Sequence, residues 1–274
     1  MTAARTGVDA PGTTPMMRTL AVAVSPLPRR TLLTETVLVL GVSLGASAIW
    51  AVLSILRKLT REAPLSAQTT RMNTSSAPDQ PWLDLAYQLA GIAIALVPVA
   101  LALHLLAREL RQPTRLLGFD LARPGRDLLL GALLAAMIGI PGLGLYVAAR
   151  ELGLNTTIAA ANLPSIWWAV PVLILASIQN AVLEEVLMVG YLFTRWAQAG
   201  WSMWTIILTS ALIRGTYHLY QGFGGFVGNI VMGIFLGWVY TRTRRVMPLV
   251  IAHTLLDVVA FVGYAALADH VTWL

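Results

Sequence analysis

Residues 165–194 read SIWWAVPVLILASIQNAVLEEVLMVGYLFT, thirty residues whose only charges are Glu184 and Glu185. A stretch this long and this apolar is a membrane helix rather than the core helix of a soluble protein. As a single helix it would run about 45 Å, against a hydrocarbon core of about 30 Å. It therefore either tilts strongly or breaks near Asn180. Working outward, comparable apolar segments lie at 33–56, 84–107, 127–149, 202–219, 224–241 and 247–268. The expectation is an all-α, polytopic transmembrane helical bundle of seven to eight spans. Residues 1–28, rich in Thr, Pro, Gly and Ala, read as a disordered cytoplasmic tail, 29–164 as N-terminal transmembrane helices, and 165–268 as a C-terminal transmembrane core.

Composition agrees. Of 274 residues, 57% are hydrophobic and 12% charged, with a mean hydropathy of +0.71, which excludes a soluble enzyme, a disordered regulator and an ordinary nucleic-acid-binding domain. The net charge of +6 needs no nucleic acid. For seven spans with the N-terminus inside, 13 Lys and Arg fall on the inner side and 5 on the outer, the bias expected of cytoplasmic loops. An eighth helix would largely cancel it. There is no cysteine, so disulfides, thiolate metal sites and a cysteine nucleophile are excluded. Lys58 is the one lysine. That arginine bias reads as a GC-rich bacterial genome and places the chain in a bacterial plasma membrane, with lipid as its surroundings.

A charged side chain at a helix centre costs about 2.5–3.5 kcal/mol on insertion scales, so each one calls for a partner or a purpose. They cluster in the last half: Glu184 and Glu185, then Arg214 and His218 in ALIRGTYHLYQG, then His253 and Asp257 in LVIAHTLLDVVAF. His104, close to a span end, reads as an interfacial residue. Arg214 and His218 are four apart, as are His253 and Asp257, so each pair projects from one helical face. Glu184 and Glu185 point about 100 degrees apart and are not expected to aim at one atom. We assign the chemistry to Glu184 and pair Glu185 with Arg214, since an ion pair lets both charges stay buried.

A buried carboxylate and a neutral imidazole can share and activate a water, and a second histidine oriented by an aspartate can donate to a developing oxyanion. That set, Glu184, His218, His253 and Asp257, suits peptide hydrolysis without a covalent intermediate. Glu184, His218 and His253 could equally hold a divalent metal such as Zn2+ with one position open. The residue pattern is compatible with both, although the absence of a HExxH helix excludes a standard zincin.

The order of these stretches, a double Glu, a His 33 or 34 residues on and a His-x-x-x-Asp 35 further, resembles the CPBP family, the Abi-like or type II CAAX-protease-like intramembrane endopeptidases, over residues 165–268. Its signature is EExxxR, FxxxH and HxxxN or HxxxD. Here EEVLMV keeps Glu184 and Glu185 but has Val189 in place of the arginine, RGTYH keeps His218 but has Arg214 in place of the aromatic, and HTLLD matches at His253 and Asp257. The resemblance implies water activation by Glu184 and His218 and oxyanion stabilisation by His253 and Asp257; some members are called metalloproteases. The loss at 189 beside the gain at 214 reads as a relocated guanidinium that still neutralises Glu185.

The expected activity is hydrolysis of a peptide bond in a hydrophobic or membrane-anchored substrate, delivered within the membrane because the centre is buried. Two rivals are a proton-coupled transporter, which would favour two related halves with paired broken helices, and a catalytically inert membrane scaffold or immunity protein of the same fold. Gly224, Gly228, Gly233 and Gly237 read as small faces for close helix contact. Asn229 reads as a structural hydrogen-bonder, Trp167, Trp168, Trp201 and Trp204 as interfacial belt residues, and Tyr220 and Gln221 as lying where substrate enters.

Overall fold

The computed structural model describes residues 25–268. The tail expected over 1–28 lies, apart from 25–28, outside the described residues. The chain is an all-α bundle of apolar helices. Helices α1 (Arg29–Gly41) and α2 (Leu44–Leu59) meet at 54°, so the segment expected as one span is a bent pair. At the bend Ser43 Oγ donates to the Val39 carbonyl at 2.6 Å, an alternative to continuing the ladder. Helices α3 (Pro81–Ala95) and α4 (Val97–Ala107) run on as one span past Pro98, whose missing N–H interrupts the ladder without ending the direction. A single turn, α5 (Pro113–Leu116), precedes α6 (Pro124–Glu151).

The decisive stretch forms α7 (Ala169–Glu184), a π-helical segment (Glu185–Tyr191) and α8 (Leu192–Gln198). It passes through Asn180 without a break, which removes the second of the two alternatives. The irregularity lies one residue past Glu184 and is a widened turn. Helices α9 (Met203–His218), α10 (Phe223–Thr243) and α11 (Met247–Leu267) complete the bundle. Among the described residues five helices are long and apolar enough to cross a membrane, or six if the bent pair counts as one span. At 16 residues α9 is about 24 Å long and falls short of that measure. The 169–198 helix is mostly enclosed by the others, which leave most of their surface for lipid.

Helix α10 uses its glycines on two sides. Gly224 and Gly228 face Ala149 and Leu145 of α6, while Gly233 and Gly237 face Ala211 of α9 and Phe193 of α8. A Cβ on Gly233 would stand 3.0 Å from Ala211 Cα and 3.2 Å from Arg214 Cδ. Gly233→Val is therefore expected to destabilise the protein by about 1–3 kcal/mol, read as a lowered melting temperature in detergent. Gly263→Ala, with nothing within 4 Å of the new carbon, should melt as the parent does. Asn229 Nδ2 donates to the Gly225 carbonyl at 2.9 Å, within its own helix.

The two ends of the bundle are built differently. At one end a parallel pair of three-residue strands, β1 (Thr69–Arg71) and β2 (Thr157–Ala159), brings the 60–80 and 152–163 loops together. They grip the turn after His218: Thr156 N donates to the Gln221 carbonyl and Phe223 N to the Leu154 carbonyl, both at 2.9 Å, and Lys58 Nζ donates to the Tyr220 carbonyl. Gly222 closes this turn at φ +123°, with Leu154 O only 2.6 Å from where a Cβ would be, so only glycine fits. At the other end Val246 N donates to the Leu117 carbonyl at 2.9 Å, and Arg245 forks onto Asp127 (2.6 Å) and Asp120 (2.7 Å). The Arg245 hydrogen bond holds the Asp120 carboxyl below the usual carboxylate range. Nearby, buried Arg195 pairs with Glu109 at 2.7 Å and Glu35 at 3.2 Å.

The tryptophans divide. Trp167 and Trp204 are exposed, as belt residues should be, and Trp201 stacks on Trp196 at 4.8 Å. Trp168 departs from its expectation. It is fully buried beside Val172 and Leu163, because consecutive helical residues face different ways and its neighbour takes the outer face.

Candidate active site

Three helices deliver the ionisable residues to one place. From α7 and the start of the wide turn come Glu184 and Glu185, from α9 Arg214 and His218, and from α11 His253 and Asp257. Arg214 is the hub. Its Nη2 donates to Glu185 Oε1 at 2.7 Å and its Nη1 to Glu184 Oε2 at 3.3 Å. The two glutamates are adjacent in sequence and diverge by about a quarter turn or more, yet both reach this one guanidinium because its planar fork offers separate nitrogens to each. The π-helical widening begins at Glu185; such turns are frequent at functional sites.

His253 Nδ1 lies 2.8 Å from Glu185 Oε1. An ionised carboxylate only accepts, so Nδ1 carries the hydrogen and the opposite nitrogen, Nε2, faces Asp257 Oδ1 at 3.7 Å. His218 Nε2 is buried, has no hydrogen-bond partner among the described residues, and stands 3.7 Å from Glu184 Oε2. That gap is too long for a direct hydrogen bond and matches groups that share a water.

Two residues join the site without having been assigned a role from the sequence. Tyr217 donates its phenol hydrogen to Glu184 Oε2 at 2.7 Å, and Asn180 Nδ2 donates to Asp257 Oδ2 at 3.3 Å. The spacing held the signal for both: Tyr217 is three residues after Arg214, and Asn180 four before Glu184, so each shares a face with a residue already singled out. Glu184 Oε2 is thus taken up by Tyr217 and Arg214, while Oε1 makes no hydrogen bond among the described residues. Beyond His218, Gln221 Nε2 donates to the Tyr220 phenol oxygen at 3.1 Å and sits 3.4 Å from His218 Nδ1. Burial pushes the Tyr220 phenol up to about 12.

Val189 is buried in the apolar core, so no charge reaches the site from that position. For a metal, the donors that come together are Glu184, Glu185 and His253, whose ligand atoms lie within 4.8 Å of one another; His218 stands outside that group.

Neither the curated proteins nor the solved structures yield a match to this chain. A family model does: residues 166–259 match the one described as Type II CAAX prenyl endopeptidase Rce1-like. The matched segment runs from the start of the 169–198 helix to just beyond Asp257 and contains every residue of the cluster. Three helices thus carry two glutamates, an arginine, two histidines and an aspartate to one enclosed centre, and the segment that holds them is similar to the Rce1-like model, in line with the resemblance to the CPBP and CAAX protease family.

Proposed function

We propose that the chain hydrolyses a peptide bond of a hydrophobic or membrane-anchored substrate with a water held between Glu184 and His218. The observation that carries this reading is the buried, unpartnered His218 Nε2, 3.7 Å from the Glu184 carboxylate. Glu184 accepts the proton of the water as it attacks the carbonyl carbon, and Tyr217 and Arg214 hold the carboxylate in place. His218 orients the same water, takes that proton over from Glu184 and passes it on to the leaving amine as the C–N bond breaks. His253, whose Nδ1–H is held by Glu185, donates to the oxyanion as the imidazolium, through the second hydrogen on Nε2, which Asp257 flanks. Asn180 keeps Asp257 turned toward it.

The relocated guanidinium belongs to this proposal. With Val189 unable to supply a cation, Arg214 neutralises Glu185 from the neighbouring helix and reaches Glu184 as well. A divalent metal has three compact donors available. Both carboxylates, however, already receive a fixed cation, Arg214, and His253 points its N–H at one of them. The donor set is committed to these hydrogens, and hydrolysis without a metal is the reading we adopt.

Purified protein should cleave a quenched membrane-anchored peptide in detergent and retain activity in chelator, with no stoichiometric metal on elemental analysis. His218→Ala should lower the rate by on the order of 10²-fold while melting normally. Proton-driven uptake in liposomes without cleavage would replace this reading by a transporter, and neither activity would leave an inert scaffold.

A further inference from the structure

We propose that the catalytic centre opens toward the non-cytoplasmic face of the membrane, beneath the cap made by the 60–80 and 152–163 loops, so that its substrate is a peptide presented from that side. This rests on the hydrolytic reading above and adds the side from which the substrate comes.

Two independent observations carry it. The first is a gradient of exposure through the site. Side chains toward the Arg245 end are closed off: Glu185 is 0% exposed, Arg214 1% and His253 6%. Those toward the cap are more open: Glu184 10%, His218 15% and Asp257 19%. The order follows the helices. His253 is six residues from the start of α11, about 9 Å, and Asp257 is one turn further from that end. His218 is the last residue of α9, directly before the turn that the cap grips. Below the cluster, Val186, Leu187, Met188 and Leu192 pack with Val246 and Leu249 into a layer with essentially no exposure, which bars any path from the Arg245 end.

The second observation is charge. The loops and helix ends that meet at the cap carry five basic residues, Arg57, Lys58, Arg61, Arg71 and Arg150, whereas eleven of the described basic residues lie at the Arg245 end. Helix α6 separates the two ends by about 42 Å. Loops rich in Lys and Arg stay on the cytoplasmic side, so the Arg245 end is cytoplasmic and the cap is not.

The chain has no cysteine, so single-cysteine variants label without background. Ala63→Cys lies in an exposed loop of the cap end and Ala122→Cys in an exposed loop of the other, and neither touches the site. In spheroplasts of a bacterial host, a membrane-impermeant maleimide should label Ala63→Cys at once and Ala122→Cys only after lysis; the opposite pattern overturns the proposal. Sealed right-side-out vesicles should then cleave an impermeant quenched peptide before permeabilisation, and inverted vesicles only after it. Cleavage confined to inverted vesicles overturns the proposal even if the labelling agrees. Absence of cleavage in both preparations after permeabilisation overturns the hydrolytic reading itself, whichever side the labels report.

Discussion

Arg214→Phe should leave little folded protein and no activity, and Val189→Arg added to the same chain should restore part of both. Among the described residues Arg214 is the one arginine or lysine in contact with both glutamates. Removing it leaves two carboxylates side by side, buried at membrane depth and facing only His253, His218 and a phenol. Breaking a buried ion pair by deleting one partner costs about 3–5 kcal/mol, a large part of a typical folding free energy of about 5–15 kcal/mol. Position 189 is four residues beyond Glu185 and close to its face, so an arginine there has the reach to replace the lost charge. Thermal melting in detergent and peptide cleavage check the single and double variants together. Equal damage in both would show that Arg214 does more than stand in for a cation at 189.

Glu184→Gln should fold and yet lose activity by about 10²- to 10⁴-fold. The amide keeps the size of the side chain, and its oxygen can still accept from Tyr217 and Arg214, so the melting temperature should stay near that of the parent. What it loses is the capacity to take a proton from water. Substantial residual cleavage by this variant would move the base to another carboxylate, and Asp257 is the more exposed alternative.

The parts of the site visible in the sequence are those governed by helical period. Arg214 with His218, and His253 with Asp257, are each one turn apart and emerge from a shared face, as their spacing requires. Tyr217 and Asn180 obeyed the same rule and went unassigned because a tyrosine and an asparagine in an apolar helix are less conspicuous than a charge. The span at 165–194 was evident from length and hydropathy, whereas its widened turn was not, since EVLMVGY, with two valines and one glycine, has a content that unbroken membrane helices also carry. The cap was hidden for another reason. Its strands are three residues each and 88 positions apart, too short for any alternation to show and held by a few backbone bonds. The metal-capable trio also differs from the sequence-based set, because Glu185 reaches the centre alongside Glu184 through the arginine they share.

The seven-residue π-helical segment has a further consequence for the long helix that contains it. It acts as a gear between two angular phases: the portion before it aims Asn180 and Glu184 at the hydrolytic centre, and the portion after it aims Arg195 at Glu35 and Glu109 near the opposite end. The wide turn holds one residue more than an α-turn, so a backbone regularised at the same length would rotate one portion by about 100 degrees relative to the other, and one anchor would have to let go. A chain of unchanged length and hydropathy would thus lose either its latch or its reactive carboxylate on becoming an ideal helix, whereas excising one residue within 186–190 would close the turn with both anchors still in phase.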